Sequence, residues 1–155
     1  MLFRSPFVEF EPDGVFSITD TQASKSVLFF LEVDMGTEPL VSHRGPSKGV
    51  RQKIAAYQAY FRGHCYKRYD HLWEACFRGF RLLFLANTGS RTMSLRKLAA
   101  ETPPSDFIWL TDRQSMLSHG VWAPIWLKGG QRDASCRSIL GSRSPSPSPR
   151  PGDLA

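Results

Sequence analysis

Three carboxylates carry the first chemical signal. Asp13 sits in Pro12-Asp13-Gly14, and Glu32 and Asp34 close the apolar run that begins at Val27. Residues two apart on a strand share a face, so Glu32 and Asp34 point the same way. The polar segment around Thr19–Ser26 reads as a turn centred between residues 22 and 23. If that turn closes a hairpin, paired residue numbers sum to about 45, and Asp13 falls opposite Glu32 within one or two positions. Three carboxylates would then converge at one end of a buried strand pair. Like charges raise one another's pKa, and burial adds to the cost. A hard divalent cation resolves the conflict, so Asp13, Glu32 and Asp34 are expected to hold Mg²⁺ or Mn²⁺. Such an ion orients a water and neutralises a phosphodiester during hydrolysis. The plainer alternative is a Pro-Asp-Gly turn and a strand end that faces solvent.

The elements that position these residues follow from hydrophobic period. Residues 1–12 read as a strand or lead-in ending at Pro12. Val15–Thr19 alternates apolar and polar as a half-buried strand does, whereas Val27–Asp34 is apolar throughout until its acidic end, as in a strand buried on both faces. Gly36 and Pro39 break the pattern. Val50, Ile54, Tyr57 and Phe61 recur at helical spacing, which predicts a helix over 47–62 with Ser47 as cap and Gly63 as stop. Residues 64–79 show no clear period. A buried strand is predicted over 80–88, a helix over 90–102 with Ser90 as cap and Pro103-Pro104 as terminator, and a short strand over 106–112. Residues 120–130 are ambiguous because Pro124 does not suit a central strand. The order strand, strand, helix, strand, helix, strand predicts an α/β domain over 1–141, with a mixed sheet that starts with a β-hairpin and is flanked by helices. Residues 142–155 are Ser/Pro-rich and are expected to be a disordered tail.

Composition narrows the partners. The chain has 155 residues, 41% of them hydrophobic, with 20 Lys and Arg against 14 Asp and Glu. A pI near 9.5 suits a polyanion such as DNA or RNA, or simply a soluble basic protein. No stretch approaches the roughly 20 apolar residues of a membrane span, and the N-terminus lacks the apolar core of a signal peptide. The expectation is a cytoplasmic protein. Three cysteines without a CxxC pair argue against a disulfide framework, and His64, Cys65, His71 and Cys76 match no regular zinc spacing. Arg62, Lys67, Arg68, Arg78 and Arg81 surround Tyr60, Tyr66, Tyr69 and Phe77. That mixture suits phosphate contacts and base stacking, or a core edged with charge. Arg91 stands at an expected helix N-terminus, where backbone N–H groups bind phosphate.

The sequence Pro12-Asp13, then Glu32-Val33-Asp34, then a helix resembles the PD-(D/E)XK nuclease superfamily. That resemblance implies a metal-dependent phosphodiesterase core. Asp34 stands where the superfamily has lysine. Some members carry the lysine on the following helix, and Lys53 occupies that helix here, with Gln52 beside it as an assisting residue. Tyr57 and Tyr60 correspond loosely to a tyrosine seen near some of those sites. An ordinary solvated lysine is the alternative for Lys53. The strings PDGVFSITD, FFLEVDMGTEPL, RQKIAAYQAYF, GFRLLFLANTGSR and SDFIWLTD, running from about residue 7 to 141, resemble the replication-relaxation family of bacterial plasmid replication and DNA relaxation. Members usually carry a winged-helix DNA-binding region before this part. The chain begins twelve residues before Asp13, so it is expected to be a C-terminal domain, a truncated copy or a late start. Two functions follow from the resemblance. One is a DNA nuclease with Asp13, Glu32 and Asp34 as metal ligands, Lys53 as substitute lysine and Gln52 as assistant. The other is a nuclease-fold accessory without turnover that binds DNA or a replication or mobilisation protein.

Overall fold

The computed structural model describes residues 3–5, 8–41 and 49–141, so the expected tail and the Ser47 cap lie outside the described residues. Two short strands, β1 (Phe3–Ser5) and β2 (Val8–Phe10), pair antiparallel and lead in. The main sheet has six strands in chain order. They are β3 (Gly14–Asp20), β4 (Lys25–Asp34), β5 (Phe80–Ala86), β6 (Ile108–Asp112), β7 (Trp126–Lys128) and β8 (Cys136–Arg137). β3 and β4 form the expected antiparallel hairpin, β4, β5 and β6 run parallel, and β7 and β8 return antiparallel. Parallel neighbours need long crossovers. The first holds α1 (Val50–Arg62) and α2 (Arg68–Leu72), and the second holds α3 (Gly89–Ala100). A fourth helix, α4 (Arg113–His119), follows β6. The fold is therefore α/β with a mixed sheet. No helix among the described residues is long and apolar enough to cross a membrane.

β4 explains the two-sided core. Its even residues Leu28 and Phe30 join Ile54 and Tyr57 of α1, Phe84 of β5 and Leu95 of α3 in one cluster. Its odd residue Phe29 joins Leu83, Trp109, Trp126 and Ile139 on the other face. A continuous apolar run is what a strand covered on both faces requires. Phe30 is fully buried, with Tyr57, Tyr60, Tyr69 and Phe80 all within 6 Å of its ring centre. Tyr60, Tyr66, Tyr69 and Phe77 are all buried, so these aromatics build core rather than a stacking surface.

Helix boundaries differ from expectation in two places. α1 starts at Val50 behind Gly49, which offers no capping side chain, although Gly63 ends it as expected. α3 is capped by Thr88 rather than Ser90. The Thr88 hydroxyl accepts a hydrogen bond from the Arg91 backbone N–H, while Ser90 already lies inside the helix. Loss of an N-cap hydroxyl costs about 1 kcal/mol. Thr88→Ala is therefore expected to destabilise by that amount in urea unfolding, with Ser90→Ala changing stability by less than about 0.5 kcal/mol. The reverse ranking would assign the cap to Ser90.

Candidate functional site

The hairpin register is the one read from the turn. Gly14 pairs with Leu31 and Asp20 with Lys25. One further step along the same register puts Asp13 across from Glu32. The Asp13 carboxylate accepts a hydrogen bond of 2.7 Å from the Val33 backbone N–H, which ties the start of β3 to the end of β4.

Glu32 is the buried centre of the group, with 1% of its surface exposed. It lies beside Phe84 of β5 and under the first two turns of α1. Lys53 and Tyr57 are four residues apart on that helix, so both side chains reach the same spot. Lys53 Nζ donates to Glu32 Oε2 at 2.9 Å, and the Tyr57 hydroxyl donates to Oε1 at 2.6 Å, a short bond of the kind a carboxylate accepts. Burial raises the Glu32 pKa, and the bonds from Tyr57 and Lys53 oppose that rise. Burial works against the Lys53 ammonium, but the hydrogen bond and charge of Glu32 outweigh it and raise the Lys53 pKa. Burial, with the negative charge of Glu32, pushes the Tyr57 phenol far up, so Tyr57 stays a donor. Asp13 adds negative charge to all three groups.

Asp34 shares the face of Glu32 but has other partners. Arg91, at the start of α3, donates through Nε to Asp34 Oδ2 at 2.7 Å and through Nη2 to Oδ1 at 3.3 Å. The Gly36 N–H donates to Oδ1 at 2.8 Å. Gly36 has a left-handed φ of 77°, which turns the chain so that Arg91 Nη2 also reaches the Glu38 carbonyl at 2.6 Å. This turn delivers the Glu38 carboxylate to 3.9 Å from Lys53 Nζ. Glu32, Asp34, Glu38 and Lys53 line a polar cavity of about 80 Å³ at the carboxyl ends of the parallel strands.

The expected convergence of three carboxylates is thus incomplete. Among the described residues, no three His, Cys, Asp or Glu side chains are disposed to hold a metal ion. Arg91 takes both oxygens of Asp34, while Lys53 and Tyr57 take those of Glu32. Asp13 and Glu32 are left outside the Arg91 pair, and both already accept hydrogen bonds, Asp13 from the Val33 N–H and Glu32 from Lys53 and Tyr57. Mg²⁺ is commonly bound through one or two carboxylates with waters and phosphate oxygens. Gln52 is exposed on the first turn of α1. The buried glutamine of that helix is Gln58, which donates to the Thr102 and Pro104 carbonyls and ties α1 to the segment after α3.

Residues 3–74 match the replication-relaxation family. This supports the family resemblance over that part of the chain. The replication-relaxation match takes in Asp13, Glu32, Asp34, Gln52, Lys53 and Tyr57 and ends before Arg91. No curated protein and no solved structure matches the chain. The sequence marks Arg91 only as a helix-terminus arginine. Its partnership with Asp34 spans 57 residues and has no local signal.

Proposed function

We propose that this domain acts on DNA in plasmid replication or relaxation, as a nuclease-like phosphodiesterase of the PD-(D/E)XK type. The observation that carries this reading is Lys53 Nζ at 2.9 Å from Glu32, on the helix that follows the strand pair. A cation there makes good the lysine missing at position 34. Asp13 and Glu32 would hold Mg²⁺ or Mn²⁺. The ion, when bound, supplies charge neutralisation at the phosphodiester. The Tyr57 hydroxyl fixes one oxygen of Glu32, so the carboxylate keeps its orientation when the other oxygen is called on. Lys53 places a positive charge beside that oxygen, where it holds a phosphate oxygen or orients the attacking water. That water adds to phosphorus as the bond to the leaving sugar oxygen breaks. Gln52, exposed next to Lys53, is assigned an assisting contact to the strand.

A second reading has its own support. Both Glu32 oxygens are engaged within the fold, and Asp34 is committed to Arg91. A nuclease-fold accessory that binds DNA or a replication or mobilisation protein without turnover needs no more than this. Nicking of supercoiled plasmid with Mg²⁺ or Mn²⁺ separates the two. The expected result is metal-dependent nicking by the wild type and none by Asp13→Ala or Glu32→Ala. Absent nicking, or nicking unchanged in both variants, leaves the accessory reading.

A further inference from the structure

The face of the sheet opposite Glu32 carries a second, differently charged site. Glu32 pairs with Phe84, and Arg81 lies three residues earlier on β5, so its side chain leaves the other face. There Lys128 stands across from Trp109, and Arg137 across from Trp126. Arg81, Trp109, Lys128, Ser135, Arg137 and Ser138 line one open cleft of about 680 Å³, and no carboxylate is among its lining residues. Asp133 accepts from the Ser135 hydroxyl at 2.9 Å, and Asp106 lines the adjoining surface together with Arg81, Trp109 and Lys128.

Arg81 is the informative member. Its guanidinium lies 4.5 Å from the Trp109 ring centre and 5.9 Å from that of Phe29, and it donates to the Ile139 carbonyl. Among the described residues it forms no ion pair, and neither do Lys128 or Arg137. Partial burial of a cation without a counter-charge is costly, and it lowers the Arg81 pKa. Three cations without an ion-pair partner among the described residues, beside an aromatic wall, make an anion site. Their spacing favours a polymer over one small anion. Arg81 on β5 and Arg137 on β8 are three strand spacings apart across the sheet, about 14 Å, and four residues apart along it, about 13 Å, which exceeds the reach of one phosphate.

We propose that this cleft binds the phosphate backbone of a nucleic-acid strand, on the face of the sheet away from Glu32. The anion site rests on the cleft alone, and its assignment to nucleic acid rests on the proposed function. A fluorescein-labelled single-stranded 20-mer DNA titrated by anisotropy at several salt concentrations tests it. Lys128→Glu/Arg137→Glu is expected to weaken binding at least tenfold. It should also lower the salt slope by about 1.4, from two contacts at about 0.7 each. Lys97→Glu/Arg113→Glu makes the same charge change on exposed positions of α3 and α4, and its expected loss is under threefold. Equal losses in the two double variants, or no binding by the wild type, overturn the proposal. So does displacement of the DNA by adenosine monophosphate at an equal phosphate concentration, which would make the cleft a nucleotide site. Nicking that survives Glu32→Ala while DNA binding still depends on Lys128 and Arg137 would sink the proposed function and leave this inference standing.

Discussion

Lys53→Met is expected to lower the stability of the domain by about 3 kcal/mol, and Glu32→Gln added to it is expected to recover most of that loss. The Glu32 side chain is 2% exposed and that of Lys53 28%. Removing one partner of a buried ion pair costs about 3–5 kcal/mol because a buried charge is left uncompensated. The partial exposure of Lys53 puts this pair at the low end. Tyr57 would still donate to Glu32, but one neutral donor does not balance a buried carboxylate. The amide of the double variant carries no charge and still accepts from Tyr57. Urea midpoints at constant m-value measure both steps. A loss below about 1 kcal/mol, or additive losses in the double variant, would show that Lys53 is an ordinary surface lysine.

The same pair sets a pH dependence. Burial raises the pKa of Glu32 in the folded state above its ordinary carboxylate value. The native state then holds a proton that the unfolded chain has released, so stability falls as pH rises through the window between the two values. Lys53 limits that fall by its hydrogen bond and charge. In Lys53→Met the folded pKa rises further, and the loss as pH rises above the ordinary carboxylate range is expected to exceed that of the wild type. Glu32→Gln removes the contribution. Stability that instead rises with pH in Lys53→Met relative to Glu32→Gln would contradict the burial of an ionisable Glu32.

Much of this arrangement was legible because strands obey simple counting. A short polar turn and a constant pair sum were enough to put Asp13 across from Glu32, and period two put Asp34 on the face of Glu32. The reach of Lys53 and Tyr57 to Glu32 was not countable, since a helix axis crosses a sheet at an angle set by tertiary packing. Only family resemblance pointed to Lys53. The sequence pointed to Ser90 as the cap of α3, and Thr88 holds that place because the chain leaves β5 early enough for the helix to start at Gly89. α4 was missed although its signal was present. Asp112 accepts from the Ser115 N–H and hydroxyl, the pattern of an N-cap, inside a segment too short to show a helical period. The cleft around Arg81 depends on strands β5, β7 and β8 lying on one sheet, and Pro124 obscured the second of these.

Asp34→Lys, which puts a lysine where the nuclease pattern it resembles has one, is expected to destabilise the domain by at least about 3 kcal/mol. Asp34 and Arg91 have side chains 7% and 16% exposed and meet through two hydrogen bonds. A lysine at position 34 sets an ammonium against a buried guanidinium, adding repulsion to the loss of a buried partner. It also leaves the Gly36 N–H without its acceptor and frees the turn that carries Glu38 towards Lys53. Removing the opposing charge in Asp34→Lys/Arg91→Met is expected to recover at least half of the loss, whereas Arg91→Met alone should cost about 3 kcal/mol by stranding Asp34. These inequalities are measurable by urea unfolding without any assumption about substrate. If Asp34→Lys folded with wild-type stability, position 34 would not be committed to Arg91, and Asp34 would return to the metal-ligand role read from the sequence. If the predicted order holds, the two acids of this strand end have separate partners: Arg91 donates two hydrogen bonds to Asp34, and Lys53 meets Glu32 from the neighbouring helix.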